Sequence, residues 1–191
     1  MRYEPEHKKQ TRDRIVRNAA RKLRVEGLNG PGVASVMKAS GLTVGGFYKH
    51  FRSKEELLAD AVALGFSEFY EKAHSSLKDV PREKWWKEIV RLYLSPEHCD
   101  HPGTGCPVAA LAPEIARAKL SLRKKIASRI EGLTGQWVAI MPGATAAERE
   151  QNFYVIFSAM AGAVTLARLL TEPAARQKVL ASVQDHLLRC F

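Results

Sequence analysis

Four residues of this chain are of types that could bind a metal ion: His98, Cys99, His101 and Cys106. Imidazole nitrogens and thiolates are zinc ligands, and a single loop that supplies four of them could close a tetrahedron. Their spacing matches no familiar zinc-binding pattern, however, and Pro102 stiffens the middle of the segment. A metal site is therefore kept as an alternative only, and the sequence predicts no bound metal and no cofactor.

Cys106 could also act alone. A thiol at the start of a helix can have a lowered pKa and react with oxidants or electrophiles, whereas the other interpretation of this residue is a small buried thiol. The three cysteines, at positions 99, 106 and 190, form no disulfide framework and suit a reducing cytosol. Because no nucleophile elbow, phosphate loop or paired-carboxylate motif is present, the sequence predicts no enzyme.

Residues 40–58 contain the strongest functional signal. Gly41 can adopt the positive φ of a tight turn, a short helix follows, and Ser53 with Glu56 forms a capping box that begins a longer helix. This order is typical of the second half of a helix-turn-helix, which presents its short recognition helix to DNA. The apolar spacing predicts that the following residues of that helix face outward: Thr43, Val44, Gly45, Gly46, Tyr48 and Lys49.

Positive charge is concentrated in the same part of the chain. Residues 1–55 contain 13 Lys or Arg and 5 Asp or Glu, a net charge of +8, whereas the other 136 residues carry only +2. This asymmetry favours an anionic polymer as the partner, because neutralised phosphates release condensed counterions. A solvated helix face would carry the same charge, so charge alone does not decide between the two interpretations.

Apolar residues have helical spacing nearly everywhere, and strand-like alternation never persists. The sequence therefore predicts an all-α protein of about nine helices. The first helix has an apolar face, and the pattern places Arg14, Arg17, Arg21 and Arg24 together on another face.

The second part of the chain is predicted to consist of longer helices around one irregular segment. Proline and glycine interrupt residues 95–113, which predicts a loop with one short helix near residues 108–111. One helix is expected over about residues 114–140, and the last two over about 145–171 and 173–191.

We divide the chain into a three-helix domain that contains the helix-turn-helix, residues 1–52, and a larger helical domain, residues 53–191, for which the family resemblance described next implies effector binding and dimerisation. No run approaches the roughly 18 consecutive apolar residues of a membrane span. The polar start, residues 1–6, is not followed by the apolar segment of a signal peptide. We therefore expect a cytoplasmic protein with no membrane partner.

Three N-terminal motifs resemble the DNA-binding domain of the TetR family of bacterial transcriptional regulators. They are residues 11–20 (TRDRIVRNAA), 39–43 (ASGLT) and 45–58 (GGFYKHFRSKEELL), and residues 105–114 resemble a stretch found in a subset of that family. The resemblance implies an all-helical homodimer in which three N-terminal helices bind operator DNA. It also implies a larger C-terminal domain that binds a small inducer.

The resemblance also implies roles for individual residues. Tyr48 is expected to donate its hydroxyl to a phosphate, and Lys49 and His50 are the basic pair that follows it. Lys54 lies in the first turn of the next helix, where its charge and the free backbone N–H groups can both meet phosphate. Thr43 is expected to cap the recognition helix.

The recognition helix departs from the family pattern at two positions. Val44 replaces a usual Lys or Arg, and Gly46 replaces a usual Thr, so few side chains remain for bidentate hydrogen bonds to bases. A glycine costs a helix about 1 kcal/mol relative to alanine. Close approach of the helix backbone to DNA would explain Gly45 and Gly46, and a distorted short helix is the alternative.

A two-fold dimer predicts an inverted-repeat operator read in successive major grooves, about 34–36 Å apart.

A small-molecule effector of unknown identity is expected in an apolar pocket between helices of the second domain. The candidate lining residues are Phe66, Tyr70, Trp86, Tyr93, Cys106, Phe153 and Phe157. Most residues of these types fill a core or an interface instead. The last two helices are predicted to form a four-helix interface in a homodimer. Together these features predict a repressor that a small molecule releases from double-stranded operator DNA.

Overall fold

A computed structural model describes residues 5–191, and this part of the chain is helical without strands, as predicted. The first four residues of the predicted domain 1–52 lie outside the described range. Nine α-helices and three short 3-10 helices form the described range. The α-helices are α1 (Pro5–Glu26), α2 (Val33–Ala39), α3 (Lys54–Ser75), α4 (Trp85–Tyr93), α5 (Pro96–Asp100), α6 (Pro107–Arg117), α7 (Leu120–Val138), α8 (Ala146–Leu169) and α9 (Pro173–Cys190). The 3-10 helices are Val44–Lys49, here named the recognition segment, Arg82–Lys84 and Pro102–Thr104.

A glycine-centred turn joins α2 to the recognition segment. Gly41 has a φ of +70°, a conformation that residues with a Cβ rarely adopt. The N–H of Leu42 donates to the carbonyl of Met37 at 2.9 Å, and the N–H of Gly41 donates to that of Lys38 at 3.0 Å. These two bonds form a Schellman motif, which satisfies the last carbonyls of α2 and reverses the chain sharply. The turn predicted from sequence is therefore confirmed.

Two phenylalanines hold the recognition segment against the rest of the N-terminal helices. Phe47 and Phe51 are both buried, and their stacked rings have centroids 5.4 Å apart. The guanidinium of Arg12 in α1 lies 4.7 Å from the centroid of the Phe51 ring. Asn18 of α1 donates to the hydroxyl of Ser40 at 3.0 Å, so α1 also holds the turn.

The predicted cap of α3 is present with one change of partner. The Ser53 side chain accepts a hydrogen bond from the N–H of Glu56 at 3.1 Å, as a capping box requires. The carboxylate of Glu56 accepts from the N–H of Arg52 at 2.8 Å instead of from the N–H of Ser53.

The described residues bury two hydrophobic cores. The N-terminal core combines α1, α2, the recognition segment and the first half of α3 with Leu111, Leu122 and Ile126 from α6 and α7. The C-terminal core combines the second half of α3, from Phe69 onward, with α4, α8 and α9 and with the end of α7 at Trp137. Because α3 belongs to both cores, the division of the chain at residue 52 remains a prediction.

The helix predicted over residues 114–140 is interrupted. Helix α6 extends from Pro107 through Pro113 to Arg117, and Ala118 and Lys119 then adopt extended conformations before α7 begins. Pro113 has no N–H to donate to the carbonyl of Ala109 four residues earlier, which would normally destabilise the helix. That carbonyl instead lies 3.3 Å from the hydroxyl of Thr165 in α8, whose single proton is shared with the closer carbonyl of Ala161 at 2.8 Å. The tertiary contact thus compensates for the proline in part.

Helix α8 is apolar on two sides. Its buried side packs against α6, α7 and α9, whereas the opposite side leaves Tyr154, Val155, Leu166 and Leu169 between 50% and 75% exposed. The helix is long and apolar enough to span a membrane, with a mean hydropathy of 1.3, and 33% of its most apolar window is buried in the protein. The core helices of water-soluble proteins also have such a composition. The four exposed residues are here named the α8 strip.

Candidate nucleic-acid interface and effector cavity

The recognition segment turns its predicted residues outward. Tyr48 is 79% exposed and Val44 is 52% exposed, and Lys49 is exposed beside them. Thr43 lies at the N-cap position as predicted, but its side chain makes no capping hydrogen bond. A β-carbon added at Gly45 would have no atom within 4 Å, so no contact within the described chain requires a glycine there.

A groove of about 520 Å³ separates the recognition segment from the N-terminal part of α1. Its residues are mostly cationic or polar, and they are His7, Lys8, Thr11, Arg14, Leu42, Thr43, Gly46, Lys49 and His50. Sequence reasoning did not assign Lys8 and Arg14 to this surface. Their helical spacing was visible in the sequence, but their position opposite Lys49 depends on how α1 packs against the recognition segment.

His50 lies in this groove with an unusual electrostatic environment. Its Nδ1 atom is buried and has no hydrogen-bond partner among the described residues. Burial lowers the pKa of His50 below its ordinary value of 6.5, and the positive charges of Lys8, Arg12 and Lys49 lower it further. The imidazole is therefore neutral at pH 7, and an anion bound in the groove would favour its protonated form.

The acidic residues near the start of α3 are paired within the protein. Arg12 of α1 binds the carboxylates of both Glu56 and Asp60. The carboxylate of Asp60 also accepts from Arg129 of α7 at 2.7 Å. Within residues 5–191, by contrast, Lys54 at the first position of α3 is exposed and forms no ion pair. Because the carboxylates are paired with arginines, they do not neutralise Lys54, and the surface around the recognition segment stays positively charged.

Most of the predicted effector residues lie together. Tyr70, Trp86, Tyr93, Cys106, Phe153 and Phe157 belong to the C-terminal core or pack against it, but Phe66 packs against the N-terminal core. The C-terminal core contains a closed cavity of about 10 Å³, about the smallest space that holds one water molecule. Its lining residues are Phe69, Ile89, Tyr93, Trp137, Met141, Phe153, Phe157 and Met160. The structure therefore has no preformed open pocket at this position.

Tyr93 introduces an unsatisfied polar group beside that cavity. Its side chain is 1% exposed, and its hydroxyl has no hydrogen-bond partner among the described residues. Burial, and then the neighbouring Cys106 thiol, raise the pKa of Tyr93 well above its ordinary value. An unsatisfied buried hydroxyl costs about 1–3 kcal/mol, so this core is less stable than complete hydrogen bonding would make it.

His98 is buried and neutral, and both of its ring nitrogens are used. Its Nδ1 lies 2.6 Å from the carbonyl oxygen of Tyr93, and its Nε2 accepts from the N–H of Cys106 at 2.9 Å. These partners assign the proton to Nδ1. Burial lowers the pKa of His98 to about 4. Neither nitrogen has a free lone pair for a metal ion.

The two buried cysteines, Cys99 and Cys106, lack the low pKa and the exposure of a reactive cysteine. Burial raises the pKa of the Cys106 thiol, and burial also raises that of Cys99. Both side chains are therefore protonated at neutral pH, whereas a redox or electrophile sensor needs thiolate character and exposure. His101 points to solvent. No group of three or more His, Cys, Asp or Glu within residues 5–191 could hold a metal ion, so the structure does not favour the metal- or thiol-based alternative.

Comparison with known proteins agrees with the geometry of the N-terminal helices. Residues 15–61 match the family model described as "Bacterial regulatory proteins, tetR family". No curated protein matches the chain in sequence.

Solved structures of similar fold cover nearly the whole chain. A TetR transcriptional regulator from Chloroflexus aurantiacus is 24% identical, with a TM-score of 0.74, and the match covers 96% of this chain and 95% of that one. A TetR-family regulator from Cytophaga hutchinsonii is 20% identical, with a TM-score of 0.75 and coverage of 95% of both chains. FadR from Bacillus subtilis, solved in complex with stearoyl-CoA, is 17% identical, with a TM-score of 0.68 and coverage of 94% and 98%.

His98 should make the stability of the protein depend on pH. Because the folded pKa of about 4 lies below the ordinary 6.5, the unfolded chain binds more protons, and stability falls as the pH falls from 6.5 towards 4. The free energy of unfolding should decrease by about 2 kcal/mol between pH 7 and pH 5 on account of this residue. Denaturant titrations at both pH values measure the decrease.

His98→Asn should remove this component, so its pH dependence should be weaker than that of the wild-type protein. His101→Gln, a substitution of the neighbouring surface histidine, is the control and should retain the full dependence. An equal pH dependence in the wild-type and His98→Asn proteins would contradict the assignment of a neutral buried imidazole.

Proposed function

We propose that the chain is a homodimeric repressor of the TetR family, whose N-terminal domain model matches residues 15–61. In this proposal the recognition segment binds double-stranded operator DNA, and a small molecule in the C-terminal domain releases it. The observation that carries the DNA-binding part is the exposed recognition segment, held by the Schellman turn and placed beside the exposed cations Lys49 and Lys54.

The proposed DNA contacts divide into two kinds. Tyr48, Lys49, His50 and Lys54 meet phosphates through a hydroxyl, positive charges and the N-terminus of α3. The exposed Val44 side chain and the backbone at Gly45 and Gly46 meet the base edges. This second set offers few hydrogen-bonding groups, so part of the sequence preference should come from DNA shape and from contact between Val44 and a thymine methyl group.

The proposed dimer forms through α8 and α9. The α8 strip exposes four large apolar side chains to solvent on one helix face, two near each end of α8, and exposed apolar surface of this kind is typical of an interaction site. A β-carbon at Gly162 would have no atom within 4 Å, so a partner helix can approach α8 closely there. A two-fold axis beside this strip would present two recognition segments to an inverted repeat.

The proposed effector site is the closed cavity of the C-terminal core, which must enlarge to hold a molecule. The unsatisfied hydroxyl of Tyr93 supplies one polar group to an apolar ligand in that space. Since α3 lies in both cores, a displacement of Phe69 by the ligand would move α3 and change the separation of the two recognition segments. FadR of similar fold, which binds stearoyl-CoA in its crystal structure, supports a ligand role for this kind of fold.

Tyr48→Phe and Lys54→Ala should each weaken binding to the operator by about tenfold, since each removes one hydrogen bond or charge from a phosphate. The operator is first selected from a pool of random duplexes, and dissociation constants are measured at several salt concentrations. For Lys54→Ala, the slope of log affinity against log salt should also decrease by about one.

Lys78→Ala is the matched control, because it removes an equal charge from an exposed position beyond the far end of α3, away from the recognition segment. It should leave both the affinity and the salt slope unchanged. Full affinity in both Tyr48→Phe and Lys54→Ala, or binding of the wild-type protein that does not depend on salt, would refute the proposed DNA interface.

Gly45→Ala tests whether the backbone of the recognition segment approaches DNA closely. The added methyl group meets no atom of the described protein, so stability should be unchanged or higher by up to about 1 kcal/mol. Operator affinity should nevertheless fall by at least about tenfold, because the methyl group would occupy space needed by DNA. Thermal unfolding and the binding titration give the two values, and unchanged affinity would favour a merely distorted helix.

Leu166→Glu should disrupt the dimer. The substitution places a carboxylate in the α8 strip, and two-fold symmetry places it there twice. Burial of an unpaired charge costs several kcal/mol, so the dimer dissociation constant from analytical ultracentrifugation should rise by more than about a hundredfold. Leu120→Glu changes another exposed leucine, on α7, and should leave the dimer intact. Equal behaviour of the two variants would place the interface elsewhere.

A further inference from the structure

We propose that Arg24 and His98 are positioning residues that link the C-terminal core to the DNA-binding domain through one shared peptide group, between Gly105 and Cys106. The inference rests on the proposed function, since it identifies a route by which a change at the effector cavity reaches the DNA-binding helices. This route runs through the end of α1, where Arg24 is also bonded to Glu68 of α3.

The peptide group is held from both sides. Its carbonyl, from Gly105, accepts a hydrogen bond from Nη1 of Arg24 at 3.3 Å. Its N–H, from Cys106, donates to Nε2 of His98 at 2.9 Å. Because the atoms of a peptide unit lie in one rigid plane, rotation that weakens one bond also changes the other. Two residues 74 positions apart in the sequence therefore share one rigid group.

The packing leaves this peptide group little space to move. A β-carbon at Gly105 would lie 2.7 Å from the His98 ring, and a β-carbon at Gly65 of α3 would lie 2.7 Å from Nη1 of Arg24. Both distances are shorter than a van der Waals contact. Glycine at both positions thus allows the imidazole and the guanidinium to approach the peptide closely.

Arg24 is placed unusually for a residue of a basic helix face. Its side chain is only 3% exposed, and Nη2 donates to the carboxylate of Glu68 at 2.9 Å. Its Nε is buried without a hydrogen-bond partner among the described residues. A buried guanidinium that is incompletely bonded contributes little to stability compared with an apolar residue. A role in positioning accounts for its burial better than a role in stability.

The other end of the route reaches the effector cavity. His98 donates from Nδ1 to the carbonyl of Tyr93, whose ring lines the cavity. Arg168 of α8 donates to the carbonyls of His98 at 3.0 Å and Cys99 at 2.9 Å, so α5 is held against α8. A molecule that displaces the Tyr93 ring or α8 would therefore move His98 and the peptide group bonded to it.

From Arg24 the route continues along α1 to the DNA-binding surface. Arg24 lies in the last turn of α1, and Asn18 in the same helix is bonded to the turn before the recognition segment. The N-terminal half of α1 carries Lys8 and Arg14 in the groove beside Lys49. A displacement of α1 at Arg24 would thus also move Lys8 and Arg14.

Hydrogen exchange in the full-length protein tests the link without a known effector. His98→Phe keeps the volume of the ring but cannot accept from Cys106, and it should raise amide exchange in residues 20–28 by about tenfold. Arg24→Lys keeps the positive charge but loses the forked geometry, and it should raise exchange in the same segment. In the Arg24→Lys background, His98→Phe should add nothing further, because the route is already broken.

Leu187→Ala is the matched control, since it disturbs the C-terminal core from α9 and lies outside the cavity lining and the shared peptide group. It should raise exchange in its own region and leave residues 20–28 unchanged. Additive effects of His98→Phe and Arg24→Lys, no effect of His98→Phe, or an equal effect of Leu187→Ala on residues 20–28 would each overturn the proposal.

A second measurement covers the case in which His98→Phe does not fold. In Arg24→Lys alone, the NMR signal of the Cys106 amide proton should move upfield, because the carbonyl of the same peptide has lost its donor and the bond to His98 weakens. An unchanged signal would overturn the proposal.

Failure of this inference can be distinguished from failure of the proposed function. If the wild-type protein binds no selected DNA, the regulator assignment fails whatever the exchange results are. If it binds DNA, His98→Phe should change the dissociation constant by about threefold or more in the wild-type background and by less in the Arg24→Lys background. Equal changes in both backgrounds would reject the link and leave the DNA-binding assignment intact.

Discussion

The shared helix α3 is the constraint on which the rest of the structure depends. Its first half buries Leu57, Leu58 and Val62 in the N-terminal core, and its second half buries Phe69 and Ala73 in the C-terminal core. A helix is stiff over 22 residues, since each turn is hydrogen bonded to the next. A movement of α3 that displaces one core therefore also displaces the other. The same helix also places Lys54 beside the recognition segment, so its position sets the geometry of the proposed DNA surface.

Both cores contain buried polar atoms that have no hydrogen-bond partner among the described residues. In the N-terminal region these atoms are Nδ1 of His50 and Nε of Arg24, and in the C-terminal region the hydroxyl of Tyr93. Incomplete bonding lowers the free energy needed to rearrange a core. The three atoms lie at the positions proposed to function: the groove beside the recognition segment, the contact between Arg24 and Gly105, and the cavity.

Arginines on the same face of α1 differ in their burial, because distant parts of the chain decide which of them is covered. The sequence placed Arg24 on one face with Arg14, Arg17 and Arg21, and the latter three are exposed while Arg24 is buried. Helical spacing predicts which residues share a face of a helix. It does not predict which distant residues pack against the last turn of that helix. Gly65, Glu68 and Gly105 form the space that Arg24 occupies, and they come from segments 41 or more residues away. No local pattern could have identified it.

Local sequence alone determined most of the helices, the turn at Gly41, the cap at Ser53 and the outward side of the recognition segment. These features depend on backbone conformations and hydrogen bonds between residues less than a few turns apart. Only the tertiary structure decided that Cys106 is an unreactive buried thiol, that the cavity beside Tyr93 is closed, and that Pro113 is accommodated within α6. Each of these depends on desolvation or on a donor supplied by a remote helix, as Thr165 supplies one to Ala109. The free energy of such contacts comes from the whole fold, so it cannot be assigned to any short segment.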